Sequence, residues 1–521
     1  MQHPADPAPS GRPVGVAGTG AMGTGIAETA LLAGEHVVLY GRRPEAGREV
    51  ERTLGERLRR RERAGRLGDR TAEEHLARLR TTTELGELAG AALVIETIAE
   101  DPAAKTALLR AVEAVVAPDC VIATNTSALS LPALARVLER PGRFAGMHFF
   151  NPVPAMRLVE VVAGPATDED TAELLAATAL RWGKIPVRCA PHPGFVVNRV
   201  ARPFYGEALR VLEERAAEPA EIDAVLTGSG GFRLGPCALM DLIGHDVNEA
   251  VTRELWRAFH HDARYVPSLV QRRLVEAGHL GRKTGRGFYR HEAGTPTSVP
   301  APEDRYAPGG PGPEHPYRDR PLYLTGGLGP AAALPGLLAA AGSTVRPGPV
   351  DGPEGLTLPD GTLLRTTDGR TAAAHAAETG RPVALLDLAL DYAGADRLAV
   401  TFDEGAPKES REAVTALLRG LGKEVTVVGD TPGLLVFRTV AMLVNEAAEA
   451  VHQGVADAAD VDTAMRLGTN YPEGPLAWGD RLGADTVLRF LDNLAHHYRD
   501  GRYRPSLLLQ RRALSGLRLA A

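Results

Sequence analysis

Residues 14–40 read VGVAGTGAMGTGIAETALLAGEHVVLY, and this stretch decides the fold. Val14–Ala17 is a short apolar strand that runs into Gly18, Gly20 and Gly23, the glycines of a GxGxxG turn. A helix-like stretch follows, and His36–Tyr40 (HVVLY) is a second strand. Strand, Gly-rich turn, helix and strand in that order make a dinucleotide-binding unit. Gly18 permits the tight turn, Gly20 lets a pyrophosphate approach the backbone, and Gly23 packs the helix onto the sheet. Ala21 and Met22 complete the turn, and the N-terminus of the helix after it faces the phosphates. A plain strand-to-helix turn is the bland alternative, and the surrounding pattern disfavours it.

The end of the second strand bears on which dinucleotide binds. An acid there would hydrogen-bond the adenosine ribose 2′-hydroxyl. This chain has Gly41, Arg42 and Arg43 instead. No carboxylate repels a 2′-phosphate, and two guanidiniums can pair with one, which favours NADP. The alternative is that the arginines form a solvated turn and NAD binds with a weakened ribose contact.

Further on, His148–Glu160 reads HFFNPVPAMRLVE. Arg157–Val162 (RLVEVV) is a buried strand, and a carboxylate inside one needs a partner. A histidine held by a carboxylate is a general base or acid near neutral pH. Taken alone, a His and a Glu that merely satisfy each other in a core is the commoner reading; the rest of the chain reverses that. Between the second strand and the strand-like run Ala91–Ile98 lies a charged helical stretch with Arg57, Arg59, Arg60, Arg61, Arg63 and Arg66. It is either a solvated helix face or a cationic surface for the phosphates of a large anionic substrate.

At 521 residues the chain is long enough for about two to four domains. Its 44% apolar and 24% charged content is that of a soluble globular protein. A net charge of -6 argues against a nucleic-acid partner. Cys120, Cys189 and Cys237 make neither a disulfide framework nor a metal site, so no metal is expected. Cys120 and Cys189 sit in or beside apolar runs and read as buried, inert thiols. The opening MQHPADPAPSGR is Pro-rich and lacks the apolar core of a signal peptide; residues 1–12 read as a disordered tail. No apolar run reaches membrane-spanning length, and a cytoplasmic enzyme without a membrane partner is expected.

The chain resembles the 3-hydroxyacyl-CoA dehydrogenase family. The resemblance is carried in order by GTGAMGTGIA at Gly18–Ala27, ETIAEDPAAK at Glu96–Lys105, TNTSALS at Thr124–Ser130, the His148–Glu160 block and PGFVVNR at Pro193–Arg199. It covers residue 14 to about residue 290. It implies an α/β Rossmann domain followed by an all-α domain, acting on an acyl-CoA substrate. By that resemblance His148 is the catalytic base, Glu160 its orienting carboxylate, and Ser127 and Asn198 the polar pair that binds the substrate's oxygens. Glu100, Lys105 and Asn151, with Ser127, match positions at the nicotinamide end of the cofactor. The Arg-rich segment, with Arg57, Arg60 and Arg61, corresponds to the coenzyme A-binding segment without a clean residue-by-residue match. The departure is Gly41, where the family usually has Asp.

The chain also contains part of itself twice. PGFVVNR at Pro193–Arg199 recurs as PGLLVFR at Pro432–Arg438, an offset of 239 that also relates Ile222–Asp241 to Val461–Asp480 and Glu207 to Glu446. Asn198 becomes Phe437, so the repeat has lost a substrate-binding polar group. The second copy runs to residue 521 without a counterpart to GRKTGRGFY at Gly281–Tyr289. The expected layout is a Rossmann domain at 13–190, a helical domain at 191–292 and a Pro/Gly-rich linker at 293–321. A degenerate Rossmann-like segment at 322–430 follows, recognised by PLYLTGGLG and the strand-like runs Val383–Leu388 and Val425–Val428, and then a second helical domain at 431–521.

This layout resembles the larger bacterial family members of the phenylacetate-degradation type. That implies 3-hydroxyadipyl-CoA or a short relative such as 3-hydroxybutyryl-CoA as substrate. It also implies an internal pseudo-dimer of helical domains, with further homo-oligomerisation left open. Two rivals stand beside this reading: a redox-silent CoA- or nucleotide-binding structural protein on the same fold, and a dehydrogenase of free 3-hydroxy acids.

Overall fold

The structure is a computed structural model and describes residues 11–292, 316–317 and 320–521. The expected tail falls almost wholly outside the described residues, as does most of the expected linker. The chain divides into two compact units. One runs to Arg199 and includes Gln453–Thr469; the other comprises Val200–His452 and Asn470–Ala521.

The first unit is built on eight strands: β1 (Val14–Ala17), β2 (Val37–Tyr40), β3 (Leu79–Thr82), β4 (Leu93–Glu96), β5 (Val121–Thr124), β6 (Phe144–Phe149), β7 (Leu158–Val162) and β8 (Ile185–Cys189). Their order is β3-β2-β1-β4-β5-β6-β7-β8. β1 to β6 are parallel, as βαβ crossovers require, and β7 runs antiparallel to β6. The C-terminal ends of β1, β4, β5 and β6 therefore lie along one edge, where ligands of open α/β sheets bind. Helix α1 (Ala21–Leu32) follows the GxGxxG turn and is buried over most of its length. Helix α2 (Pro44–Arg63) buries Val50, Leu54 and Leu58 and leaves its cationic face outward. Cys120 and Cys189 are buried, as expected.

The second unit holds seven strands: β9 (Leu322–Thr325), β10 (Val345–Pro347), β11 (Gly355–Thr357), β12 (Leu363–Thr366), β13 (Val383–Leu386), β14 (Arg397–Phe402) and β15 (Glu424–Val427). Their order is β10-β9-β11-β12-β13-β14-β15, a second Rossmann-like sheet. The sequence pattern reveals only three of these strands. β10 to β12 are three or four residues long and set among prolines and glycines, and β11 is an antiparallel insertion between β9 and β12.

The expected second helical domain, 431–521, is divided between the two units. Helix Ala458–Gly468, from the chain's second half, belongs to the first unit. It lies at β8, an edge strand whose unpaired backbone groups need partners. Asp460 Oδ2 accepts from Arg188 N at 3.2 Å, and Ala190 N donates to Val455 O at 2.7 Å. The second sheet is packed by helix Pro219–Gly228, from the chain's first half, which lies at β14, next to the edge strand β15. Gly429 N donates to Ala216 O at 2.7 Å, and Ser229 Oγ donates to Arg397 O at 2.8 Å. Ala190 and Gly429, like Ala216 and Val455, are separated by the repeat's offset of 239.

Within the second unit the helical segments meet through buried charges. Glu207 accepts from Arg502 Nε and Arg438 Nε at 2.8 Å each, and from Tyr503 Oη at 2.8 Å. Reciprocally, Tyr265 Oη donates to Glu446, with Arg264 3.6 Å away. Burial alone would raise the Glu207 carboxyl; Arg502 and Arg438 outweigh it and hold it at about 2. The stabilisation is thus present above the ordinary value of 4.5 and is lost as pH falls through about 2. Glu207→Ala strands two buried guanidiniums and should cost about 3–5 kcal/mol, read by chemical denaturation near neutral pH. A loss below about 1 kcal/mol would contradict that account.

The repeat also has a counterpart to the Gly281–Tyr289 segment that the sequence conceals. Asp241 accepts from Phe288 N at 2.9 Å and Tyr289 N at 3.0 Å. Its equivalent Asp480 accepts from Leu519 N at 2.5 Å and Ala520 N at 3.1 Å. The last residues of the chain perform the same closure in a shorter loop.

Candidate active site

The edge of the first sheet carries a cleft of about 510 Å³ lined by Gly18, Thr19, Gly20, Gly41, Arg42 and Arg43, with Thr97–Ala99 and the helix after them opposite. Gly18 has φ +136, and a side chain there would run into Thr97. A Cβ on Gly23 would lie 2.0 Å from the Gly18 carbonyl oxygen, whereas one on Gly20 would meet nothing within 4 Å. Two of the glycines are thus closed against the fold, and the third opens on the cleft. Ala21 and Met22 begin α1, whose first turn carries no acidic residue. These features fit a dinucleotide with its pyrophosphate at the helix N-terminus. Arg42 and Arg43 are exposed, and among the described residues neither guanidinium has an intramolecular partner.

His148 and Glu160 are directly opposed across β6 and β7. His148 Nδ1 lies 2.6 Å from Glu160 Oε2, and Glu160 has no solvent exposure. The other carboxylate oxygen, Oε1, accepts from Val196 N at 3.0 Å and Val197 N at 2.9 Å. Glu160 is therefore fixed from both sides, and it fixes the imidazole. Nδ1 carries the proton toward the carboxylate, which leaves Nε2 as the nitrogen that exchanges one. Phe150 and Phe195 flank the ring, with centroids at 4.6 and 5.7 Å. Such an arrangement can take a proton from an alcohol and hold the resulting imidazolium against a buried negative charge.

Asn198 lies on the short helix Val197–Val200, next to the backbone that holds Glu160. Ser127 N and Oγ donate to Glu100 Oε1 at 2.6 and 3.0 Å, so these two residues meet directly after β5 and β4. Lys105 is buried, with Nζ 2.8 Å from Glu96 Oε1 and 3.7 Å from Glu100 Oε2. Its main partner is thus Glu96. Asn151 is exposed at the start of the loop after β6. Of the arginines on α2, Arg57 and Arg61 direct their guanidiniums to the buried Glu28 of α1, each at 3.1 Å, and Arg60 is exposed.

Three residues that sequence reasoning passed over support this edge. Glu96 ends β4, binds Lys105 and accepts from Thr124 Oγ1 at 2.6 Å. It is a carboxylate inside an apolar strand, the signal that picked out Glu160. Asn125 Oδ1 accepts from Phe149 N at 2.8 Å, next to His148. Lys184 donates to Val153 O at 2.6 Å and Met156 O at 2.8 Å, which pins the proline-containing loop between His148 and Glu160. Burial lowers the Lys184 ammonium to about 8; Arg61 adds to this and Glu28 opposes it. No residue pattern announces such a contact to loop carbonyls. No cluster of potential metal ligands occurs among the described residues, and none of their helices is long and apolar enough to cross a membrane.

The second sheet lacks this machinery. Glu160 pairs with Val187 across β7 and β8, and Ala399 pairs with Thr426, the equivalent of Val187, across β14 and β15. Ala399 thus stands where Glu160 does. Opposite it is Asp387, whose N–H donates to Ala399 O at 2.9 Å, in the place of His148. The Asp387 carboxylate accepts from Leu435, Val436 and Phe437 N–H at 2.8–3.1 Å. One aspartate anchors the following helix, and no imidazole remains.

The model of the 3-hydroxyacyl-CoA dehydrogenase NAD binding domain matches residues 13–192, and that of the C-terminal domain matches residues 194–291 and 433–518. The 3-hydroxybutyryl-CoA dehydrogenase reduced Rossmann-fold domain matches residues 364–432. The chain is 43% identical to a 3-hydroxyadipyl-CoA dehydrogenase of Escherichia coli K12, over 96% of this chain and 97% of the relative. A probable 3-hydroxybutyryl-CoA dehydrogenase of Bacillus subtilis is 40% identical over 54% of this chain and 97% of its own length. The crystal structure of a 3-hydroxybutyryl-CoA dehydrogenase from Escherichia coli K12 superposes with a TM-score of 0.83 at 41% identity, covering 97% of this chain and 99% of that one. On the fold, the matched models and a relative alike over nearly its whole length, the chain belongs to the 3-hydroxyacyl-CoA dehydrogenase family.

Proposed function

We propose that the chain interconverts the C3 hydroxyl and ketone of a short-chain 3-hydroxyacyl-CoA, such as 3-hydroxybutyryl-CoA or 3-hydroxyadipyl-CoA, at the edge of the first sheet. The observation that carries this reading is the buried His148–Glu160 pair at 2.6 Å, with Glu160 tied down by two backbone amides. His148 Nε2 takes the C3 hydroxyl proton during oxidation and returns it during reduction. Glu160 sets the tautomer and stabilises the imidazolium. Ser127 and Asn198 bind the substrate's oxygens, with Ser127 oriented by Glu100. The bound dinucleotide, in the cleft lined by Gly18, Gly20 and Gly41–Arg43, supplies the hydride chemistry. Glu100, Lys105 and Asn151 shape its nicotinamide end, Lys105 by fixing the loop after β4.

NADP is the preferred dinucleotide on this reading, because Gly41 offers no acid to the ribose and two exposed guanidiniums stand beside it. Of Arg57, Arg60 and Arg61, Arg60 is the one with a guanidinium available to coenzyme A, since Arg57 and Arg61 hold Glu28.

The second half is a catalytically silent copy. Its helical segment provides the partner surface that a second subunit would otherwise supply, which makes an internal pseudo-dimer with one active site per chain. The reciprocal grips on Glu207 and Glu446, the exchange of helices, and Asp387 and Ala399 in place of the dyad all support this.

The experiment that separates a CoA-ester enzyme from a dehydrogenase of free 3-hydroxy acids compares initial rates on acetoacetyl-CoA and acetoacetate. The CoA ester should be favoured by at least about 100-fold in kcat/KM, the value of a few kcal/mol of remote binding energy. Comparable rates would sink the proposal, and no turnover of either would leave the redox-silent alternative standing.

A further inference from the structure

Gly41 is buried, yet its φ lies outside the left-handed region, so the backbone does not demand glycine there. A neighbour does. A Cβ built on Gly41 would lie 2.5 Å from Thr19 Cγ2, with Thr19 Cβ and Oγ1 at 3.6 Å. Real Cβ atoms do not approach a methyl group so closely, and one of the two residues would have to move.

Thr19 has little room to do so through its backbone. It sits between Gly18 and Gly20 in the tight turn. Gly18 N is tied to Tyr40 O at 3.0 Å, and Thr24 closes the turn against Gly20 O at 2.9 Å. Its remaining freedom is rotation about χ1, and β-branched side chains are restricted there. Both residues line the cleft beside Arg42 and Arg43.

We propose that Thr19 and Gly41 form one steric pair that sets the dinucleotide preference. The Thr19 methyl occupies the volume a side chain at position 41 would need. It thereby keeps the end of β2 free of the carboxylate that would bind a ribose 2′-hydroxyl. The consequence for NADP rests on the cofactor reading above; the steric coupling does not. Specificity is therefore encoded in two positions, one of them inside the GxGxxG turn, where the cofactor's ribose partner is not usually sought.

The test is a double-mutant cycle on the full chain: parent, Thr19→Ala, Gly41→Asp, and Thr19→Ala with Gly41→Asp. Each is measured for kcat/KM with NADH and NADPH and for melting temperature. Gly41→Asp alone should lose at least about tenfold in kcat/KM with both dinucleotides and should melt earlier. Adding Thr19→Ala should restore melting and NADH use, and should raise the NADH-to-NADPH ratio by at least about 100-fold over the parent. Additive effects, with Gly41→Asp alone switching preference as fully as the double variant and melting like the parent, would overturn the proposal. A parent that strongly prefers NADH would instead defeat the NADP reading, and the cycle would still measure the coupling.

Discussion

His148→Ala should lower kcat by about two to four orders of magnitude, the usual contribution of a positioned proton-transfer group. The imidazole is buried between Phe150 and Phe195 and fixed through Nδ1, so the substitution should remove the proposed proton acceptor without opening the sheet. The glycine turn lies on β1 and α1, apart from β6, so the dissociation constant for the dinucleotide should stay within about threefold of the parent value. Turnover close to the parent's would exclude His148 as the acid–base group. A parallel loss of dinucleotide affinity would indicate a collapsed site instead.

Glu160→Gln should be comparably damaging, for a reason specific to this geometry. Oε1 accepts two backbone N–H bonds and Oε2 faces His148 Nδ1. In an amide of the same shape, the oxygen must stay with the backbone amides, which cannot accept a hydrogen bond from an NH2 group. The NH2 group then faces Nδ1 and forces that nitrogen to accept. The ring proton moves to Nε2, the nitrogen that must be free to take the substrate's proton. A fall in kcat of roughly 10³–10⁴-fold is expected, the scale seen when the carboxylate of a Ser-His-Asp triad is amidated. Nitrogen-15 NMR of the histidine ring should show the proton on Nδ1 in the parent and on Nε2 in the variant. Turnover within about tenfold of the parent, with the Nδ1–H tautomer retained, would leave Glu160 a purely structural role.

Much of this site was legible in the sequence because its signals are local. The glycine turn sits between two strands only a helix apart, and a carboxylate inside the apolar run LVEVV demands a partner. The same argument applied to LVIE at Leu93–Glu96 would have found Glu96, and with it the buried partner of Lys105. The arginines of α2 were harder. Helical spacing puts Arg57 and Arg61 on one face, but only the packing of α2 on α1 brings Glu28 to them. The second sheet was half hidden: β10 and β11 are three residues long and set among prolines and glycines, whereas β14 (RLAVTF) is a run that the same reasoning would have found. The exchange of helices was not legible. Ala458–Gly468 reads as part of its own helical segment, and which sheet edge it covers is settled by packing far along the chain. The repeat's offset announced a duplication, but only strand register puts Asp387 and Ala399 at the positions equivalent to His148 and Glu160.

One working active site per chain is expected, in the first sheet, with the second sheet silent. Equilibrium titration of the full chain with its preferred dinucleotide tests it most directly, by counting the equivalents bound at saturation. The account predicts one. Two equivalents of tightly bound dinucleotide per chain would contradict it.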